Sequence, residues 1–183
     1  MDYPWYTLLS ESEELSQGDI IKNCPVPRLI LDNTQDIKAE EKYKANIVKM
    51  DGVIVTQACD IANGKAKNVI LCSVTPLSKF KNKLSNSGTK PNDVKSRVET
   101  IVRGQQYGLH ILNEYDTEEY KEEFLVVSFQ DSFSVPIELL KQVAKGNEYR
   151  LRLNPPYREH LSQAYARFFM RVGLPEDIDR SKL

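Results

Sequence analysis

Short runs of aliphatic and β-branched residues, separated by turn-forming residues, are the main pattern along much of the chain. Such runs occupy residues 45–50, 53–57, 68–74, 109–112 and 124–129. Runs of this length between Gly, Pro, Asn and Asp residues predict β-strands. Because no regular helical crossover connects one run to the next, the pattern argues against a parallel doubly wound sheet.

Glycine and proline refine the strand prediction at two places. A further strand begins within residues 18–21, and Pro25 and Pro27 place it at a sheet edge, because proline has no amide hydrogen for the ladder. The pair Asp51-Gly52 separates two of the runs and predicts a two-residue type I′ hairpin.

The segment 79–93 interrupts the strand pattern. It is rich in Lys, Asn, Ser and Gly and has almost no apolar periodicity. We expect a mobile surface loop, which is also a candidate binding element.

Helical spacing appears mainly in the second half of the chain. Val94, Val98, Ile101 and Val102 predict a short helix that ends near Gly104, and Pro136 opens a second short helix. A longer pattern at 156–172 predicts a C-terminal helix, whose apolar stripe is Tyr157, Leu161, Ala164, Phe168 and Val172.

These elements predict one domain over residues 1–183, a length that supports a single hydrophobic core. The expected fold is mainly β within the α+β class. A small, partly open barrel occupies 17–145, with short inserted helices and the loop 79–93, and the helix 156–172 docks against it.

Charge and cysteine content narrow the chemistry. The chain has 25 basic and 26 acidic residues, so nucleic-acid binding would require local clustering of cations. There is no basic leader and no long apolar run, which predicts a cytoplasmic protein without a membrane partner. The dispersed Cys24, Cys59, Cys72, His110 and His160 lack the spacing of a zinc site, so we expect free thiols and neither a metal nor a cofactor.

Cys59 beside Asp60 is the most enzyme-like local feature. A reactive thiol there would need His110 or His160 as a base. The favoured interpretation is structural, with a small, buried, apolar cysteine and Asp60 capping the following turn.

Arginine and tyrosine gather toward the C-terminus. This mixture binds phosphates and stacks on bases, or it grips a protein surface. The slightly favoured interpretation is structural: Arg167 and Arg171 complement the negative end of a helix dipole, and the tyrosines complete the core. The candidate binding residues are Arg97, Arg152, Tyr157, Arg158 and Arg167.

Residues 17–77 resemble the MazF/PemK family of toxin-type proteins. The resemblance rests on Gly18-Asp19-Ile20, on the run 53–56, on an Asn at 63 or 68, and on the run 69–77. It implies an SH3-like barrel, a homodimer, metal-independent cleavage of single-stranded RNA and an antitoxin partner. Thr75 matches the family's hydroxyl position.

The family's Arg-Pro pair is replaced by Asp51-Gly52 in this sequence. Arg97 or Arg103 would have to supply the missing cation from elsewhere. Asp51 would instead repel a phosphate.

Two functional hypotheses follow. The favoured one is a noncatalytic interaction or regulatory module in a toxin-like, defence or stress-response system, with an antitoxin-like or regulatory protein partner, because the charge is balanced and the family arginine is missing. The alternative is a metal-independent endoribonuclease that uses Thr75 and Arg103 as catalytic residues.

Overall fold

The computed structural model describes residues 3–30 and 44–170, which form an α+β structure of nine strands and five helices. The strands are β1 Tyr6–Ser10, β2 Ile20–Leu29, β3 Ala45–Ile54, β4 Asn68–Pro76, β5 Leu109–Leu112, β6 Tyr115–Asp116, β7 Lys121–Glu122, β8 Leu125–Pro136 and β9 Tyr149–Leu153. The helices are α1 Ala58–Ala62, α2 Leu77–Asn86, α3 Pro91–Val102, α4 Ile137–Lys145 and α5 Tyr157–Phe169.

Five strands form the main antiparallel sheet, in the order β2-β3-β4-β8-β5. The predicted α+β class is therefore confirmed. The edge position predicted for the strand with Pro25 and Pro27 is also correct, because β2 pairs with β3 on one side only. β4 lies at the centre, and its residues 71–74 are buried on both faces of the sheet.

A second, two-stranded sheet of β1 and β9 adjoins the edge of β2. The connection is a single bridge between Asp19 and Arg152, with the Leu153 amide donating to the Gly18 carbonyl at 3.0 Å. The described strands do not close into a barrel. The predicted SH3-like barrel is not confirmed.

Two apolar clusters form the core on the two sides of the sheet. The first contains the inward residues of β4, β5, β8 and β9, and the second lies between β2, β8 and α4. Helix α5 covers the first cluster, since its Leu161 is buried there and Tyr157, Ala164 and Phe168 pack against it. This confirms the predicted C-terminal helix; Val172 lies outside the described residues.

The predicted hairpin at Asp51-Gly52 is wrong. Both residues lie within the continuous strand β3, where Gly52 pairs with Ile21 on one side and Ser73 on the other. A Cβ at Gly52 would lie 2.8 Å from Cζ of Phe133. Glycine is therefore required by close packing against an aromatic ring, not by a turn.

The loop expected at 79–93 is also wrong. Most of this segment belongs to α2 and α3, and only residues 87–90 connect the two helices. The predicted helix at Val94–Ile101 is confirmed as part of α3, which ends before Gly104 at a φ of +67°. The short helix predicted after Pro136 is confirmed as α4.

Within the described residues, none of the helices combines the length and the apolar character needed to cross a membrane.

Candidate functional site

Successive side chains of β4 point alternately to the two faces of the sheet, so polar side chains lie opposite the core residues. Cys72 and Val74 point into the first apolar cluster, whereas Ser73 and Thr75 point to the other face of the strand. Thr75 pairs with Val126 of β8, so its backbone position is set by the sheet. Among the described residues, the Thr75 hydroxyl has no hydrogen-bond partner.

A bulge in β8 widens the surface beside Thr75. Cys72 pairs with Ser132 and the next residue, Ser73, pairs with Ser128, so residues 129–131 of β8 have no counterpart on β4. The Asp131 amide donates to the Ser128 hydroxyl at 3.3 Å, and that hydroxyl donates to the Asp131 carboxylate at 3.2 Å. Bulges of this kind redirect side chains and are common beside functional sites.

A second bulge, in β2, lies across the same face. Its Asn23 has a φ of +56°, and the Asn23 amide donates to Oδ1 of Asp51 at 2.8 Å. Lys22 approaches the other carboxylate oxygen of Asp51 at 3.6 Å and Glu122 at 2.6 Å. Asp51 is therefore held in an internal network, in which the Asn23 amide and Lys22, shared with Glu122, offset part of its negative charge.

Helices α2 and α3 form one wall of the surface. The Glu123 carboxylate accepts hydrogen bonds from the Ser78 amide at 2.9 Å and the Ser78 hydroxyl at 2.7 Å, fixing the first turn of α2. These two hydrogen bonds lower the pKa of Glu123. Val94 and Ile101 anchor α3 in the interior, and Arg97 lies on the same side of the helix, at i+3 and i−4 from them.

Together these elements enclose two adjoining cavities of about 490 Å³ each, which share Ser73, Thr75 and Asp131. We call this surface the Thr75 groove. Five basic side chains line it against two carboxylates, Asp51 and Asp131. The basic side chains are Arg28, Lys49, Lys79, Lys83 and Arg97.

The cations of the groove are mostly free. Within the described part of the chain, the side chains of Lys49, Lys83 and Arg97 have no ion-pair or hydrogen-bond partner. Free guanidinium and ammonium groups around an unpaired hydroxyl form a surface that can bind phosphate groups. The balanced charge of the chain therefore conceals a local excess of positive charge.

Sequence reasoning identified Thr75 and Arg97 of this groove and missed its lysines and Arg28. Lys79 and Lys83 lay in the segment interpreted as a loop. Their signal was the spacing of Leu77, Phe80 and Leu84, which marks an amphipathic helix with lysines on its outer faces.

Arg152 has a different environment from the one the sequence suggested. Its Nε and Nη2 donate to the carboxylate of Asp19, which is fully buried, and Nη2 also donates to the Glu14 carbonyl. Arg150 donates to the same carboxylate and to carbonyls of residues 10, 13 and 14. We call Asp19, Arg150 and Arg152 the Asp19 cluster; it fastens the N-terminal segment to β9.

Tyr157 and Arg158 also make internal contacts. The Tyr157 ring stacks on Trp5 at a centroid distance of 3.8 Å, and its hydroxyl donates to the Tyr3 carbonyl at 3.1 Å. Arg158 forms an ion pair with Glu159 at 2.6 Å. Both side chains hold the start of α5 in place.

Arg103 and Arg167 lie outside the Thr75 groove. Arg103 is exposed at the C-terminal end of α3, and it does not line either cavity of the groove. Arg167 lines a neighbouring cavity with both histidines of the chain, and Arg171 lies outside the described residues. Arg97 and Thr75 are thus brought together, whereas Arg103 is not part of their surface.

The cysteines lie in two kinds of environment. Cys24 and Cys72 are buried, and burial raises the pKa of the Cys24 thiol to about 11 and that of Cys72 to about 12. The burial expected for Cys59 is wrong: it is exposed in α1, with Sγ 3.6 Å from the Gln57 amide oxygen and 3.9 Å from the Asp60 carboxylate. No histidine contact to Cys59 occurs in the described part of the chain.

No group of three or more His, Cys, Asp or Glu side chains in the described ranges is placed to hold a metal ion.

Another cavity, of about 610 Å³, lies between residues 11–15 and α4. Its wall carries Glu11, Glu13 and Glu14 opposite lysines of α4. With Glu138, the carboxylates outnumber the three lysines that line the cavity, so it offers no net positive charge for an anion.

No protein-family model matches this chain, and no curated protein matches it. The resemblance to the MazF/PemK family therefore rests on the sequence motifs alone.

Proposed function

We propose that the Thr75 groove binds single-stranded RNA. The observation that carries this proposal is the position of Arg97, whose unpaired guanidinium lines the same cavity as the unpaired hydroxyl of Thr75 and the ammonium group of Lys83. A chain of phosphates supplies repeated negative charge along a groove, and free arginine and lysine side chains neutralise it.

The second half of the groove extends the same chemistry. Arg28, Lys49 and Lys79 line the adjoining cavity, so cations continue past Thr75 on the side of β2 and β3. A single phosphate would use one cluster of cations, whereas a flexible strand uses both. An RNA ligand agrees with the cytoplasmic location that the sequence predicts.

Fluorescence anisotropy with labelled single-stranded RNA tests the proposal. Arg97→Ala removes one charge-assisted contact, which is worth about 1.5–3 kcal/mol, and we expect affinity to fall by about 10-fold to 100-fold. Arg103→Ala is the matched control, because it removes an exposed arginine near the other end of α3.

The expected result is a loss of affinity in Arg97→Ala with Arg103→Ala within twofold of the parent. Equal affinity in all three proteins would reject the Thr75 groove as the RNA site. A loss confined to Arg103→Ala would return the role to the residue that the sequence analysis favoured.

Cleavage of the bound RNA is part of the proposal. The 2′-oxygen loses its proton to a base and attacks phosphorus, the bond from phosphorus to the 5′-oxygen breaks to leave a 2′,3′-cyclic phosphate, and the leaving 5′-oxygen takes up a proton from water. Arg97 would stabilise the added charge on phosphorus, Thr75 would hydrogen-bond a phosphate oxygen, and the carboxylate of Asp131 is the proton acceptor in the cavity.

An RNA pool incubated in chelator, followed by mapping of fragment ends, tests this step. We expect Thr75→Val and Arg97→Ala to abolish the cuts and Arg103→Ala to retain them. RNA that binds but is never cut would leave the groove as a noncatalytic binding surface.

Binding of a protein partner is the second candidate function. Apolar side chains are exposed at the end of the β2–β3 pair that contains the last residues of β2 and the first residues of β3. Leu29 is 64% exposed and Ile47 is 65% exposed, and Ile30 and Val48 are exposed beside them. An antitoxin-like or regulatory protein that covers these residues would make the chain an interaction module in a toxin-like or defence system. In the same family-based proposal, the strands form a partly open SH3-like barrel and the chain forms a homodimer.

Photo-crosslinking separates the two candidates. A crosslinker at Ile47 should trap one protein species in the native cell, and Leu29→Ser should abolish that product without changing RNA affinity. A crosslinker at the exposed Lys145 of α4 is the control. No product at Ile47 would reject the protein-partner candidate.

A further inference from the structure

A smaller cavity continues from one end of the Thr75 groove. It has a volume of about 280 Å³ and shares Gln106 and Leu109 with the groove. Strand β5, the bulge of β8 and helix α5 form its walls, so it lies beside the cavity that holds Arg97. We call it the His110 pocket.

One side of the His110 pocket is apolar and carries an aromatic ring. Phe129 is 1% exposed, and the His110 imidazole lies nearly parallel to it, with centroids 6.3 Å apart and an interplanar angle of 20°. Leu109 and Ala164 complete this side. Phe129 is too buried to touch a ligand, so the half-buried His110 ring that it supports, with Leu109, forms the face that favours a planar ligand.

The other side carries hydrogen-bonding groups. Gln106 and Gln163 each offer an amide donor and an amide acceptor, and His160 and Arg167 complete the rim. Arg167 has no partner among the described residues. Nucleobases present alternating donors and acceptors along one edge, which amide side chains match.

The protonation state of His110 fits a neutral ligand. Burial, and then the nearby His160, lowers the pKa of His110 to about 4. The imidazole is therefore neutral near pH 7, with one donor and one acceptor nitrogen.

We infer that the His110 pocket holds the base of a nucleotide whose neighbouring phosphate lies in the Thr75 groove. The inference rests on the proposed function, because the two cavities are joined at Gln106 and Leu109. The base packs against the apolar wall, and the glutamines contact its edge. The free guanidinium of Arg167 takes the next phosphate.

Histidine NMR tests the pocket without depending on the groove. The chain has 2 histidines, and both line this pocket, so every imidazole signal reports on it. We expect AMP, CMP, GMP or UMP to shift the His110 signals, whereas ribose 5-phosphate, which lacks a base, leaves them unchanged. Equal shifts from ribose 5-phosphate would make the pocket a phosphate site and overturn the inference.

RNA binding provides the second measurement. An oligonucleotide with one abasic residue, moved through each position in turn, should lose about 5-fold to 100-fold in affinity at one position. Gln163→Ala should remove that position dependence. If every abasic oligonucleotide binds like the parent and Arg97→Ala still weakens binding, the base pocket is wrong and the groove stands.

Failure of the His110 pocket can be distinguished from failure of the Thr75 groove. If no RNA binds but a nucleotide shifts His110 and ribose 5-phosphate does not, the groove fails and the pocket remains a nucleotide-base site. If neither RNA nor any nucleotide has an effect, both proposals fall.

Discussion

The Asp19 cluster and the Thr75 groove contain similar charged residues in opposite environments, buried and paired in the cluster and exposed in the groove. In the cluster, the side chain of Arg150 is 1% exposed, and all of its donors meet a carboxylate or backbone carbonyls. In the groove, Arg97 is exposed and has no partner among the described residues. One arginine fastens the fold and the other faces solvent over a sheet surface.

The comparison shows that a ligand site is marked by hydrogen-bond donors that have no partner within the chain, and not by the type of residue. Arg152 and Arg158 are already paired within the chain, so binding a ligand would require breaking those pairs. Arg97 loses only water when it meets a phosphate. The two regions should therefore respond to substitution in opposite ways, one in stability and the other in binding.

Removal of the Asp19 carboxylate should give the largest effect. Asp19→Ala leaves the guanidinium of Arg150 buried without its counter-charge, and we expect a loss of about 3–5 kcal/mol in the free energy of unfolding. Urea unfolding followed by circular dichroism measures it. Arg97→Ala is the control and should change stability by less than about 0.5 kcal/mol.

A stability loss in Arg97→Ala as large as that in Asp19→Ala would remove the distinction between the two regions.

Lysine substitutions within the Asp19 cluster sharpen the comparison. Arg150→Lys keeps the charge but loses the planar fork that reaches the carbonyls of Ser10 and Glu14, and we expect a loss of about 2–3 kcal/mol. Arg152→Lys should cost about 1 kcal/mol or less, because the Arg152 side chain is 23% exposed and water can replace its contacts. Thermal and urea unfolding of both variants check the order, and equal losses would contradict it.

Much of the fold could be predicted from the sequence, because local patterns determine it. The strand β4 and the helices α3, α4 and α5 were predicted from periodicity and from flanking Pro and Gly residues. The error at Asp51-Gly52 arose because glycine in such a dipeptide is needed either in a turn or where another group packs close to the backbone. Only the position of the Phe133 ring shows that the second reason applies here. The ring lies 81 residues after Gly52, in another strand, which no local pattern reveals.

The site was less predictable than the fold. Thr75 was singled out by the family resemblance and Arg97 by its charge, but their shared cavity depends on α2 and α3 packing beside β4 and on the bulge of β8. The pairing of Arg152 with Asp19 joins residues 133 positions apart. Such contacts are set by the tertiary fold, so the sequence could not separate paired from free arginines.

His110 lies next to the groove and should give stability a pH dependence. Burial first and His160 second lower its pKa from 6.5 to about 4 in the folded state. Between those values the unfolded chain binds a proton that the folded chain does not, so stability falls as the pH is lowered from about 6.5 toward 4. The contribution is on the order of 1–2 kcal/mol, after a discount for partial solvent access.

Urea unfolding at several pH values between 4 and 7 measures this slope, and His110→Gln should flatten it. A His160→Gln control should keep most of the slope, since burial is the larger cause. An unchanged slope in His110→Gln would assign the pH dependence to other groups.

The smallest expected effect is a change in the salt dependence of RNA binding. It tests whether the exposed cations of the Thr75 groove contact phosphates directly. Each phosphate contact on a single strand contributes about −0.7 to the slope of log affinity against log salt concentration. Arg97→Ala and Lys83→Ala should each reduce the slope by roughly that amount, whereas Arg103→Ala should leave it unchanged.

The stability loss of Asp19→Ala should hardly vary over the same salt range, because the charges of the Asp19 cluster are buried and poorly screened. If the Arg97→Ala slope equals that of the parent while affinity still falls, Arg97 supports the groove structurally and does not contact phosphate.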